Sequence, residues 1–488
     1  MMLQSQVVFG TSGARGLVVA MTDQICYGYT TGFLKYLMED GAWGVGQRVA
    51  LSGDLRASTP RILSACAEAV RDLGGKPVFC GYVPTPAMAH WSFSEGVPSI
   101  MVTGSHIPDD RNGIKFYRPD GEILKEDEPR ITRQFVTIIK GRWSPNGHFV
   151  SPPMPIGSPN KDVGKRYLAR YVEAFGREAL RGKKIGVYQH SAVGRDLLVD
   201  ILGALGATVV PLGRSKIFVP VDTEAVRPED VLLARKWVVE HQLDAIASTD
   251  GDSDRPLLAD DTGEWLRGDV LGMLCARELN ADVVVTPISS NTLVEKCASF
   301  VRVLRTKIGS PFVIAAMNEA LIAHGGVVCG YEANGGFLLG SDIVLQGKLI
   351  KALPTRDAIL PIVTVLANSR NEDISQLLSQ LPQRHTVSDR LQGFLSDRRD
   401  HLMGWLRPED TVKRNVQVEE IFAPIARSSL TMISFLDGAR MTFANDRVIH
   451  LRASGNAPEL RCYTEAESCD LATELNRATL AAVAELFP

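Results

Sequence analysis

No stretch of this 488-residue sequence comes near the ~18–20 consecutive apolar residues that a membrane helix needs. Basic runs are missing as well. Fifty-three Lys and Arg stand against 56 Asp and Glu, a net charge of -3, so no electrostatic case exists for a nucleic-acid or membrane partner. The eight cysteines contain no C-x-x-C pair, which argues against a zinc site and against a disulfide framework. Reduced thiols and a cytoplasmic location are the expectation. Residues 1–16 lack the charged-then-apolar pattern of a signal peptide. The glycine-rich loop Phe9-Gly10-Thr11-Ser12-Gly13-Ala14-Arg15-Gly16 lacks the Lys-Ser/Thr ending of a nucleotide-cradling loop. A composition of 45% hydrophobic and 22% charged residues is ordinary for a soluble globular enzyme. The length exceeds a single core and suggests about three or four domains.

What is present is a series of strand–helix–strand patterns, each ending in a polar loop. Arg48 to Ser52 reads as a strand, Pro60 to Leu73 as a helix capped by Ser58 or Thr59, and Lys76 to Cys80 as the next strand. This crossover unit predicts a parallel sheet. The apolar run Ser99-Ile100-Met101-Val102 then leads into Thr103-Gly104-Ser105-His106, with Gly113-Ile114-Lys115 further on. A hydroxyl beside an imidazole, with an ammonium ten residues away, suits covalent chemistry. Alone, the same residues also fit a turn whose Ser caps a backbone amide. Their place beyond the carboxyl end of a strand suits a ligand site. In the first loop, Arg15 lies between glycines that allow close approach to an anion.

Trp143 to Asp162, rich in Pro, Gly and Ser, reads as a domain linker. Lys184 to Tyr188, Gly194 to Leu205 and Thr208 to Leu212 then repeat the strand–helix–strand pattern. The strand Asp244 to Ala247 runs into Ser248-Thr249-Asp250-Gly251-Asp252-Ser253-Asp254-Arg255. Three carboxylates at alternate positions, with Gly251 permitting a tight turn, can converge on one hard cation such as Mg²⁺. Without a cation they would repel one another. A helix-flanked calcium loop is excluded, because its twelfth position would be Asp261 and a strand-like Pro256 to Ala259 follows.

A third repeat predicts strands at Asp282 to Thr286 and Val301 to Arg305 around a helix at Asn291 to Phe300. Lys307-Ile308-Gly309-Ser310 and Glu332-Ala333-Asn334-Gly335-Gly336 are its polar loops. Glu332 and Asn334 could hold vicinal sugar hydroxyls, and the same residues fit a plain hairpin turn. The last part predicts polar helices around Ile374 to Leu381 and Asp397 to Trp405. Strands at Thr431 to Phe435, Arg440 to Phe443 and Arg447 to Leu451 and a closing helix from Ser468 follow. Between the last strands, Arg452-Ala453-Ser454-Gly455-Asn456 to Arg461 offers a fork of donors to one phosphate, or a simple strand connection.

In this order the five loops resemble those of the α-D-phosphohexomutases, the phosphomannomutase/phosphoglucomutase group, over nearly the whole chain. The resemblance implies three similar α/β domains and a C-terminal α+β domain around a central active-site cleft. The boundaries expected are 1–152, 153–258, 259–370 and 371–488. It implies that Ser105 carries a phosphoryl group and, with Asp250, Asp252 and Asp254, binds one Mg²⁺. Arg15 and Arg255 would lie near the transferring group. Lys115 would be the general acid/base with His106 close by. Lys307, Glu332 and Asn334 would meet the sugar. Arg452, Ser454, Gly455, Asn456 and Arg461 would take the phosphate that is not reacting. The expected reaction interconverts hexose 6- and 1-phosphates through a hexose 1,6-bisphosphate, with mannose favoured. The chain is expected to be a monomer or weak homo-oligomer whose partners are sugar phosphates. Four positions depart from the family pattern. Gly104 and Ile107 flank the Ser-His pair where Ala and Asn are usual, Asn334 stands where Ser is common, and Gly336 stands where many members have a His.

Overall fold

A computed structural model describes the chain except for residues 1, 3, 4, 11, 12, 370, 371, 408–410, 454–457 and 488. The chain divides into two compact units, one of residues 1–285 with 309–378, the other of residues 286–308 with 379–488.

The first unit holds three larger sheets and a two-stranded one, Ile343–Leu345 with Lys348–Ile350. In the first, Arg48–Gly53 lies between Lys76–Gly81 and Ser99–Val102, all parallel. The expected crossover is there, but the sheet is mixed. Arg111–Arg118 runs antiparallel beside Ser99–Val102, and Ala14–Leu17 antiparallel beside that. This register sets Lys115 opposite Met101 and Arg15 opposite Gly113, so residues a hundred positions apart in sequence become neighbours. Helices Asp23–Glu39 and Thr59–Asp72 bury Phe33, Leu34, Ile62 and Val70 against Leu51, Val102 and Phe116 of the sheet. The predicted cap differs in kind. Ser58 makes no capping bond, and the Thr59 hydroxyl donates instead to Asp54 Oδ1 (2.7 Å).

The second sheet sets Ala245–Thr249, Lys184–His190 and Thr208–Arg214 in parallel, with Pro256–Ala259 folding back antiparallel on the first. The acidic loop is the turn between Ala245–Thr249 and Pro256–Ala259. The Trp143 to Asp162 stretch carries no helix or strand before Asp162–Phe175 begins. In the third sheet, Val283–Pro287 runs parallel to Val328–Tyr331. That strand turns through residues 332–336 into Phe337–Leu339, which pairs with Leu353–Asp357. The helix expected over Asn291 to Phe300 shrinks to Leu293–Lys296.

The second unit carries an antiparallel sheet in the order His385–Gln392, Glu459–Ala466, Val448–Ala453, Ala439–Phe443, Leu430–Ser434. The closing helix, Cys469–Leu486, is capped by Ser468 and packs Leu475 and Val483 into a core with Leu451 and Phe422. Two elements escape the sequence reading. The strand His385–Gln392 is polar and half exposed, and the helix Thr411–Ala426 contains Pro424. Each is an α/β or α+β arrangement of the class expected. Among the described residues, no helix is long and apolar enough to cross a membrane.

Two buried histidines give the fold a pH dependence. His190 Nε2 donates to Thr249 O (2.8 Å) and His450 Nε2 donates to Asp437 O (2.6 Å), while Nδ1 of each is buried without a partner. Protonation would place an N–H against no acceptor, and burial lowers both from 6.5 to about 4. A depressed folded-state value means that the unfolded chain takes up these protons first. Stability is therefore complete above pH 6.5 and is lost as pH falls towards 4. The expected result is a thermal midpoint that is flat from pH 7 to 8 and declines between 6.5 and 4. Replacing His450 with Gln should flatten the decline.

Candidate active site

Ser105 sits in the first unit at the end of Ser99–Val102, fully buried and with a φ of 54°. A serine in the left-handed region costs about 1–3 kcal/mol and persists only where its surroundings dictate it. Here they do. Ser105 N donates to Thr103 Oγ1 (2.7 Å), and Thr103 Oγ1 donates to Asp54 Oδ2 (2.8 Å). Arg56, paired with Asp54 at 3.1 Å, gathers four carbonyls of the loop. Its Nη2 reaches Ser105 O and Ile107 O, and its Nη1 reaches Pro108 O and Arg111 O, at 2.6–3.0 Å. A Cβ at Gly104 would lie 2.6 Å from Arg56 Cζ, so this position is small to admit the guanidinium. The Asp54–Arg56 pair was missed in the sequence. A charged pair closing an apolar strand was the available signal.

The acidic loop closes on the same hydroxyl. Ser105 Oγ donates to Asp250 Oδ2 (2.6 Å). Asp250 Oδ1 in turn accepts from the amides of Asp254 and Arg255 (both 3.2 Å). Gly251 does not have the positive φ that a tight turn would need. It permits close approach instead, since a Cβ there would lie 2.6 Å from Ser105 O. Ser253 takes the positive φ, at 58°. Asp252 Oδ2 accepts from Thr85 Oγ1 (2.8 Å), which anchors the loop on the helix Thr85–Ser94.

Asp250, Asp252 and Asp254 offer carboxylate oxygens all within 4.8 Å of one another, and each residue is buried. Asp252 Oδ1 and Asp254 Oδ1 lack any hydrogen-bond partner. Buried, orphaned and convergent oxygens fit a hard divalent cation, with Ser105 Oγ beside them. The repulsion expected from the sequence is present. Burial, then Asp252 and Asp254, push the Asp250 carboxyl well up. Asp252 moves the other way. Burial opposes its charge, but the Lys115 ammonium overrides that and holds the carboxyl well below the usual range.

Lys115 Nζ donates to Asp252 Oδ2 and Asp254 Oδ2, both at 2.6 Å. Arg255 Nη1 lies 3.0 Å from His106 Nδ1, and His106 Nδ1 lies 3.4 Å from Ser105 Oγ. Burial, then Arg255 and Arg15, lower His106 to about 2, so the imidazole is neutral and its Nδ1 accepts from the guanidinium. Arg15 is half-buried with its Nε enclosed, and desolvation followed by the fields of Arg255 and Arg356 lowers it to about 10.

Arg356 is the second residue missed in the sequence. Fully buried on Leu353–Asp357, it pairs with Asp254 Oδ2 through Nη2 (3.0 Å) and with Glu332 Oε2 through Nη1 (3.3 Å). The Glu332 loop is a hairpin turn as well as a candidate sugar loop, with Tyr331 paired to Phe337 and Gly335 N donating to Glu332 O (2.9 Å). Asn334 Oδ1 accepts from Gly336 N (2.9 Å), so its oxygen serves the turn. Asp250, Asp252, Asp254 and Glu332 are thus matched by Arg15, Lys115, Arg255 and Arg356, four carboxyls with four cations.

The second unit holds Lys307, Arg452 and Arg461. Arg452 stands directly opposite Arg461 on adjacent strands, and Arg461 stands opposite Arg390 on the next. Like charges so placed are unfavourable without an anion. Glu459, 3.4 Å from Arg390, answers part of this, and Asp437 another part. Its Oδ1 accepts from Arg452 Nε (3.0 Å) and its Oδ2 from Ile308 N (3.0 Å), which ties the residue after Lys307 to Arg452. Ser454, Gly455 and Asn456 lie outside the described residues.

Four family descriptions match the chain. They are phosphoglucomutase/phosphomannomutase alpha/beta/alpha domain I over residues 6–141, domain II over 165–263, domain III over 267–385 and the C-terminal domain over 409–482. The phosphomannomutase of Salmonella muenchen is 46% identical over 467 residues, covering 95% of this chain and 93% of that protein. The phosphomannomutase of Sinorhizobium fredii is 43% identical over 470 residues, 96% of each. The phosphoglucosamine mutase of Paracoccus denitrificans is 26% identical over 494 residues, covering 98% of this chain and 99% of that protein. Among solved structures, a phosphoglucomutase/phosphomannomutase family protein from Burkholderia thailandensis superposes with a TM-score of 0.75 at 20% identity, over 100% of this chain and 98% of that one. Parafusin, a phosphoglucomutase from Paramecium, gives 0.68 at 15% identity, over 99% and 95%. These two likenesses bear on the fold alone.

Proposed function

The chain belongs to the phosphoglucomutase/phosphomannomutase family, and from that premise we propose that it is a phosphomannomutase, interconverting mannose 6-phosphate and mannose 1-phosphate. The observation that carries the reading is Ser105, held at positive φ among three carboxylates and four cations. A dianionic phosphoryl group on Ser105 and a divalent cation can enter this cluster together without changing its net charge. Phosphoryl transfer needs positioning and cations around the equatorial oxygens more than it needs covalent chemistry from the protein. Arg15 and Arg255 provide fixed positive charge there.

Ser105 gives its phosphoryl to the sugar monophosphate, which forms a hexose 1,6-bisphosphate. The bisphosphate turns over and returns its other phosphoryl to Ser105. The Lys115 ammonium gives a proton to the departing oxygen and, as the amine so formed, takes the proton of the attacking hydroxyl, a role that His106 cannot share while its Nδ1 accepts from Arg255. Asp250, Asp252 and Asp254 would hold Mg²⁺, which neutralises charge on the transferring group when bound. Glu332 and Lys307 meet sugar hydroxyls. Arg452, Ser454, Gly455, Asn456 and Arg461 take the phosphate that is not reacting, a role supported by the facing Arg452 and Arg461. Domain boundaries near 152, 258 and 370 belong to the same reading, and so does a role in supplying mannose 1-phosphate for GDP-mannose.

The test gives the protein mannose 1-phosphate or glucose 1-phosphate, with Mg²⁺ and a trace of the matching 1,6-bisphosphate. Formation of the 6-phosphate is then followed. The expected result is a kcat/KM for mannose at least ~10-fold above that for glucose, about 1.4 kcal/mol of discrimination. Equal rates would make it a dual-specificity mutase. Free phosphate without isomer would make it a phosphatase, and no product from either sugar would overturn the reading.

A further inference from the structure

We propose that Arg356 is a positioning residue for this reaction: from the space that glycine leaves open at position 336, its guanidinium ties the sugar-facing Glu332 to Asp254 of the metal loop. The inference rests on the mutase reading and adds to it a link between the two loops.

Three observations carry it. The first is the bridge, at 3.3 Å to Glu332 and 3.0 Å to Asp254, from an arginine that is 1% exposed. Arg356 is the only cation within ion-pair distance of Glu332 among the described residues. A buried carboxylate that loses its cation is strongly disfavoured. Glu332 therefore keeps a charged, fixed acceptor for sugar hydroxyls through Arg356.

The second is steric. A Cβ on Gly336 would lie 2.5 Å from Arg356 Cδ and 2.8 Å from its Cγ. Any side chain at 336 would displace the arginine stem, so Gly336 and Arg356 form one packing unit. The position where the family resemblance leads one to expect a His is thus not left empty. A permanent cation, reaching in from Leu353–Asp357, takes the room.

The third is that Asp254 is shared. Lys115 holds the same Oδ2 at 2.6 Å. A divalent cation bound by Asp254 competes with Lys115 and Arg356 for its charge, and the Arg356 fork carries that change to Glu332. Linkage then requires that sugar binding at Glu332 change cation affinity by the same factor in return.

The experiment uses the full chain and the variants Arg356→Met, Arg356→Lys and Gly336→Ala. It measures KM and kcat with mannose 1-phosphate, Mg²⁺ affinity by calorimetry with and without that sugar, and the thermal midpoint. For Arg356→Met we expect a KM at least ~10-fold higher and Mg²⁺ binding without sugar as tight as in the wild type or tighter, because a competing cation is gone. Its Mg²⁺ affinity should no longer respond to sugar. Lysine reaches one carboxylate at a time and should restore part of the KM. Gly336→Ala should raise KM in the same direction by displacing the stem.

An unchanged KM in Arg356→Met with only a lower thermal midpoint would reduce Arg356 to packing and overturn the proposal. So would Mg²⁺ binding weakened tenfold without sugar. Should Arg356→Met fail to fold, the lysine and Gly336→Ala variants decide by the same criteria. A wild type that isomerises neither sugar phosphate would sink the mutase reading instead. Calorimetric affinities of wild type and variants for mannose 1-phosphate would then still decide on Arg356, and equal values would overturn it.

Discussion

Replacing Ser105 with alanine is expected to lower the rate of isomerisation by ~10⁴-fold or more while leaving the fold intact. Alanine removes the atom on which the proposed two-step transfer depends. It removes little that holds the loop, because the backbone there is fixed from outside. Arg56 binds the Ser105 carbonyl, Thr103 binds the Ser105 amide, and neither contact involves the hydroxyl. The one hydrogen bond lost with an oxygen acceptor is that to Asp250, a carboxyl already pushed up by burial and its two acidic neighbours. The measurement is a coupled assay beside transfer of label from a radiolabelled hexose 1,6-bisphosphate. Wild type should retain label at Ser105, and Ser105→Ala should retain none. Full turnover in the variant, or label retained at another residue, would end the covalent mechanism. Arg56→Met is the informative companion. It leaves the hydroxyl in place but releases four carbonyls, so it should lower both label uptake and the thermal midpoint.

The contrast between these residues shows what could be read from the sequence. Ser105 and the three aspartates stand out together, because a hydroxyl and alternating carboxylates occupy glycine-containing loops in one order along the chain, and Lys115 stands out as an ammonium within the buried strand Arg111–Arg118. The strands and helices that carry those loops follow from apolar periodicity, and the parallel core of the first sheet with them. Arg56 and Arg356 were not legible in the same way. Each works through a partner distant in sequence, the Ser105 loop carbonyls for one and Asp254 and Glu332 for the other. The Asp54–Arg56 pair closing its strand was a local signal, but what either arginine holds has no pattern until the sheets bring that partner to it. The same limit hid the antiparallel return of Arg111–Arg118, which depends on long-range pairing rather than on local alternation. The strand His385–Gln392 was hidden differently. It is polar on its open side, and its identity comes from eight successive partners in Glu459–Ala466. Gly104, Gly251 and Gly336 were visible as glycines, but the reason for each was not. All three are small because another group of the site occupies the space that a Cβ would fill.

Removing the divalent cation is expected to stop turnover without unfolding the chain. The aspartates are not left as bare charges when it goes. Lys115 holds Asp252 and Asp254, Arg356 holds Asp254, Thr85 holds Asp252, and Asp250 accepts two amides of its own loop. Only two carboxylate oxygens among them lack partners, Asp252 Oδ1 and Asp254 Oδ1, and these are open to a cation that Asp250 would join. Chelation should therefore leave the far-ultraviolet circular dichroism unchanged. A cation present at about 100 times its dissociation constant contributes ~2.7 kcal/mol by mass action, so the thermal midpoint should drop by several degrees and recover with Mg²⁺. Turnover should fall by at least ~10³-fold, because the oxygens on the transferring group lose their divalent counter-charge. Asp252→Asn separates binding from folding further. It weakens the cation site and takes one carboxylate from Lys115, so added Mg²⁺ should restore only part of its activity. Loss of secondary structure on chelation would make the cation a structural one. Undiminished turnover in the chelated protein would mean that Arg15, Lys115, Arg255 and Arg356 suffice for the transfer, and that the three aspartates serve to hold those cations in place.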